Sequence, residues 1–174
     1  MKKNIITAAI LTLTLSAATV SCDDPDTTSY MPIYSGFQIA PAQPTAGETI
    51  TFTAQQEKKG HLIYHADYRW NVVYATSDEE GRPDTVRTVK NTSVVYDMES
   101  GDPSVTFTIP KGRGGNIQAT FIGEFRYSGV GAAGYDGTSY DGPGANGTIR
   151  WRSSSSTDGY CEGTTRKINV KASE

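Results

Sequence analysis

Three observations predict an all-β chain, an antiparallel sandwich. Apolar residues recur at every second position in five separate windows, the pattern of strands with one buried face. Gly, Pro, Asp and Ser clusters separate those windows at short intervals, as they do between strands of a sandwich. After the first two dozen residues, no window of twelve or more places apolar side chains at helical spacing.

The 174 residues divide into three parts. Residues 1–21 have a basic start (Lys2, Lys3), an uncharged apolar stretch from Ile5 to Val20, and small residues before Cys22, the plan of a secretory signal peptide. "ATVSC" resembles the lipobox of bacterial lipoproteins, with Thr19 where Leu is usual, and relaxed boxes of this kind are common among Bacteroidota. The resemblance implies that Cys22 is the first mature residue and carries acyl chains. Each buried acyl CH₂ contributes about 0.8 kcal/mol, so several chains on one residue hold a domain firmly at a membrane. The "DDPD" after Cys22 resembles the acidic signal that sends such lipoproteins to the cell surface. Asp directly after the cysteine is also similar to an enterobacterial inner-membrane retention signal, so a periplasm-facing domain is the alternative. Residues 22–32 then read as the lipidated cysteine and a flexible polar tether.

Residues 33–174 carry the alternation. "GETITFTAQ" puts Ile50, Phe52 and Ala54 on one face; "ADYRWNVVYAT" groups Tyr68, Trp70, Val72 and Tyr74. "PSVTFTIP" aligns Val105, Phe107 and Ile109, "NIQATFIGEFRYS" aligns Ile117, Ala119, Phe121, Phe125 and Tyr127, and "KINVKA" aligns Ile168, Val170 and Ala172. Weaker strand candidates are Tyr34–Ala40, Thr85–Lys90, Ser93–Met98 and Thr148–Arg152. The order of these segments, with Gly47-Glu48 before the second strand and Trp70 on the third, resembles immunoglobulin-like and PKD-like domains of bacterial surface proteins. The antibody cysteine pair and the Gly-Asp-Gly turn of PKD domains are both missing. Residues 128–164 exceed a simple connection, and their Gly and Tyr content predicts an inserted loop or hairpin around "TIRWRSSSSTDGYCEG".

Composition excludes some functions. The net charge is −3, and −5 once Lys2 and Lys3 leave with the leader, which gives no footprint for nucleic acid. "GVGAAG" fits the dinucleotide pattern G-x-G-x-x-G only formally, because no helix start follows it. His61 and His65 lack a third zinc ligand nearby, and Asp136, Asp141 and Asp158 lack the spacing of a calcium loop and precede Gly as turn formers. There is no G-x-S-x-G turn and no evident carboxylate pair, so neither an enzyme nor a cofactor or metal is expected. Cys161, without a partner once Cys22 is acylated, is expected as a buried inert thiol.

Aromatic rings beside polar groups can stack on sugars or pack onto a protein. That makes Tyr135, Tyr140, Trp151 and Tyr160 the candidate contact residues. Asp84-Thr85-Val86 resembles a Bacteroidota O-glycosylation sequon with Thr85 as acceptor. The expected function is a lipid-anchored surface binding or accessory module, within a glycan-capture or adhesion assembly. The alternative is a structural envelope protein that makes protein–protein contacts and takes no small ligand.

Overall fold

A computed structural model describes residues 29, 32–77, 83–95, 103–127, 139–140, 145–153 and 158–174. Cys22, Tyr135 and the "GVGAAG" segment lie outside the described residues. The strands are β1 (Ile33–Ala40), β2 (Thr49–Lys58), β3 (Ile63–Ser77), β4 (Pro83–Val95), β5 (Ser104–Thr108), β6 (Gly115–Tyr127), β7 (Ser139–Tyr140), β8 (Gly147–Ser153), β9 (Asp158–Thr165) and β10 (Ile168–Val170). No helix occurs among the described residues.

The described residues are all-β, with two antiparallel sheets in a sandwich-like arrangement. The smaller sheet has the order β1-β2-β5. The larger has the order β4-β3-β6-β9-β8-β7, with β10 also paired to β6. Short connections fix the two ends. Ile33, Lys58, Ile63 and Tyr127 share one end through the pairings Ile33↔Lys58 and Ile63↔Tyr127. Thr49, Thr108, Gly115 and Val170 share the other.

The alternation predicted for β2, β3, β5 and β6 is the alternation of burial. Ile50, Phe52 and Ala54 face Trp70, Val72, Ile117 and Phe121 across one apolar core. Phe121 is its centre: its ring lies 4.9 Å from Trp70, 5.3 Å from Tyr34 and 5.9 Å from Tyr68. Trp70 is 2% exposed and belongs to this core. The Tyr34 hydroxyl donates to that of Tyr68 at 3.2 Å, which gives the buried Tyr34 proton an acceptor.

The structure differs from expectation in three places. β4 is one strand of 13 residues rather than two fragments. The expected hairpin region supplies two full members of the larger sheet, β8 and β9, with β9 next to β6. Ala172, expected to face inward with Ile168 and Val170, is exposed past the end of β10.

The open side between the sheets is stitched by β1 and the start of β8. The Phe37 amide donates to the Ala145 carbonyl at 2.8 Å, and the Asn146 side-chain amide donates to the Phe37 carbonyl at 2.9 Å. Asn146 makes that bond from a left-handed turn, at φ 51°, which Asn tolerates better than most residues. Gly36 permits the approach, because a Cβ there would sit 2.6 Å from the Ala145 backbone.

Candidate functional site: the outer face of the larger sheet

The inner face of the larger sheet is buried, so its chemistry lies outward. Antiparallel pairing puts directly opposed residues on one face. His65, Arg126 and Asp158 form one outward row, and Asp67, Glu124 and Tyr160 the next. Arg69, Ile122, Glu162 and Arg150 form a third. Each row joins residues far apart in sequence.

Over the first two rows lies a groove of about 420 Å³, bordered by His65, Asp67, Glu124, Arg126, Asp158, Tyr160 and Glu162. A second hollow of about 310 Å³ covers Thr148, Arg150, Glu162 and Thr164. Glu162 borders both. Together they make a trough along β9, roughly 20 Å from Asp158 to Thr164 at the usual strand rise.

The trough mixes charges of both signs. The His65 ring is 3.0 Å from the Asp67 carboxylate, and the Arg69 guanidinium is 3.5 Å from Glu124. Both partners of the second pair are half exposed, so the pair adds little stability. Burial, then the nearby Glu162 carboxylate, raises the Tyr160 phenol above its ordinary value. A phenol is protonated at neutral pH in any case, and this one hydrogen-bonds the Glu162 carboxylate. The surface offers one aromatic ring, several carboxylate acceptors and several guanidinium donors. That chemistry suits a ligand rich in hydroxyls or peptide groups.

Of the four aromatic contact candidates, Tyr160 lines the trough. Trp151 pairs with Cys161, and Tyr140 pairs with Ile149. These registers share one parity, and Tyr160, paired with Arg152, has the other. The ladder therefore does not bring all of them to one face. Tyr135 lies outside the described residues. Thr85 is exposed on β4 opposite Ala75.

Sequence reasoning missed Asp67, Glu124, Glu162 and Arg126, because nothing local marks them, and it read Asp158-Gly159 as a turn where the two residues open strand β9. It also missed Tyr64, the one large hydrophobic side chain that is exposed among the described residues, at 38%. Tyr64 adjoins His65 at the irregularity between Ile63 and His65, where strict alternation fails. The placement of His65 against Asp67 gives it a partner other than His61. Among the described residues, no three His, Cys, Asp or Glu side chains are grouped to hold a metal ion.

Cys161 is fully buried, and burial pushes its thiol well above the ordinary range. It faces the core beside Gly123, where an added Cβ would lie 2.8 Å from its sulfur.

No family model, curated protein or solved structure matches the chain.

Proposed function

We propose that the chain is an exported, lipid-anchored module that binds a glycan through the trough along β9, and that its fold is immunoglobulin-like. The observation that carries the binding reading is Tyr160, half-buried between Glu124 and Glu162 in a groove of about 420 Å³. A ring edged by carboxylates and guanidinium groups offers a stacking face together with hydrogen-bonding partners for sugar hydroxyls. The balanced charge favours a neutral saccharide.

The strand order supports the immunoglobulin-like reading. β1, β2 and β5 occupy the places of strands A, B and E, and β3, β6 and β9 those of C, F and G. β4 pairs with β3, and β7 and β8 form an insertion before the last strand. The lipoprotein reading rests on the leader and on the lipobox-like placement of Cys22, which acylation would make the anchor. Residues 23–32 span at most about 35 Å when extended, which sets the distance of the domain from the membrane. β1 starts at the end that carries His65 and Asp158, so the Asp158 end of the trough lies toward the tether. Outer-membrane surface display, and Thr85 as an O-glycan acceptor exposed on β4, complete the reading.

A glycan array probed with the purified chain tests this, followed by calorimetry on the hits. Tyr160→Ala should weaken binding at least tenfold, and Tyr160→Phe, which keeps the ring face, less than threefold. An array without hits, combined with stable protein partners captured from membranes, would replace this reading with the structural one.

A further inference from the structure

A second groove, of about 390 Å³, lies on the opposite half of the domain, bordered by Gln43, Arg166, Lys167, Asn169 and Lys171. We propose that it binds the anionic groups of an acidic saccharide, at a site separate from the Tyr160 trough.

A strand irregularity makes this groove. Thr120 pairs with Thr164 and Ile117 with Ile168. Three steps along β6 thus match four steps along β9 and β10, so one residue is extra. β9 and β10 are one strand interrupted by a bulge. On a regular strand, Arg166 and Lys167 would point to opposite faces. Here both are exposed, between buried Thr165 and buried Ile168. The bulge re-aims a side chain and turns two successive cations to solvent.

Both walls are held by hydrogen bonds. The Thr165 hydroxyl accepts from the Ala119 amide at 3.0 Å, the Gln118 side chain donates to the Thr165 carbonyl at 2.7 Å, and the Arg166 amide donates to the Asn146 carbonyl at 2.7 Å. Across the groove, the Ala46 amide donates to the Lys171 carbonyl at 2.8 Å, and the Lys171 amide to the Pro44 carbonyl at 3.0 Å. The cations therefore project from a prepared backbone.

Charge selects the ligand. The chain carries a net −3, yet Arg166, Lys167 and Lys171 border one groove with no carboxylate among its described lining residues. None of the three forms an ion pair among the described residues. A guanidinium fork matches a carboxylate or sulfate in two parallel hydrogen bonds. The Gln43 and Asn169 amides add donors and acceptors for hydroxyls. An anion bearing hydroxyls, such as a uronate or sulfated sugar, answers both. A membrane surface fits less well: Arg166 stands roughly 26 Å along the strand from Asp158, away from the end where β1 begins.

The test is calorimetric titration of the purified chain with a uronate hexasaccharide, a heparin hexasaccharide and maltohexaose as the neutral control, alongside sedimentation with phosphatidylglycerol vesicles. At least one acidic saccharide should bind, and more weakly at 200 mM than at 50 mM salt. The variant R166Q/K167Q should lose at least tenfold in affinity. The variant K58Q/K59Q, with the same change in charge elsewhere, should lose less than twofold, and Tyr160→Ala should leave this binding unchanged. The proposal falls if neither acidic saccharide binds, if K58Q/K59Q or Tyr160→Ala weakens binding as much as R166Q/K167Q, or if the vesicles bind and the saccharides do not.

Discussion

Thr165→Val isolates one hydrogen bond at the bulge. Thr165 is 1% exposed, and its hydroxyl oxygen accepts the Ala119 amide at 3.0 Å inside the larger sheet. Valine keeps nearly the same shape but carries no acceptor, so the amide of fully buried Ala119 loses its partner. An orphaned buried donor costs about 1–3 kcal/mol, and the better hydrophobicity of valine offsets only part of it. For a domain of this size the melting temperature should fall on the order of 3–10 °C. Thr165→Ser keeps the oxygen and loses a methyl group, which costs about 0.8 kcal/mol. Urea denaturation should therefore rank the wild type first, Ser second and Val third. Hydrogen exchange at the Ala119 amide should quicken in the Val variant and not in the Ser variant. A Val variant as stable as the wild type, or a Ser variant less stable than Val, would refute the assignment of this bond.

Stability should also decline in alkali. Burial raises Tyr68, Tyr127 and Tyr160 above the ordinary phenol value of 10.0, and raises the Cys161 thiol above 9.0. Groups raised in the folded state are neutral in both states below their unfolded values. Above these, the unfolded chain releases protons first and is favoured. The urea midpoint should stay level to about pH 9 and fall steadily above it; Cys161→Ala should delay the onset toward pH 10. At the other end of the chain, Cys22→Ala should move the protein from the detergent phase to the aqueous phase in Triton X-114 partitioning. An unmodified cysteine in the mass spectrum of the wild-type protein would reject the anchor outright.

The strands legible in the sequence are those that send large apolar side chains into the core between the two sheets. β2 offers Ile50 and Phe52, and β6 offers Ile117, Phe121 and Phe125, so alternation is plain. β9 is buried just as regularly, yet its inward residues are Gly159, Cys161 and Gly163. They are small because neighbouring rings fill their space: a Cβ on Gly163 would lie 2.6 Å from the Phe37 ring. Hydrophobic periodicity cannot see a strand whose burial is supplied by its neighbours. β4, with Thr and charged residues throughout, sits at the edge of the larger sheet, where the apolar requirement weakens.

The candidate site was legible only in Tyr160. Its surroundings come from three strands, and Glu124 reaches it only through the register Glu124↔Tyr160. Such pairing is set by the global fold and leaves no mark near either residue. The bulge was equally hidden, because nothing between Thr165 and Ile168 marks an extra residue until the partners on β6 are counted.

The parallel bridge between Thr45 and Lys171 has a mechanical consequence. It ties a segment near the first strand to one just past the last, and the two run in the same direction. If the chain is held at its N-terminal side and pulled from its C-terminal side, these segments slide past each other lengthwise. The two hydrogen bonds from Ala46 and to Pro44 would then be loaded together, in shear, rather than unzipped one after the other. A domain pulled between its two ends would resist extension first at that clasp.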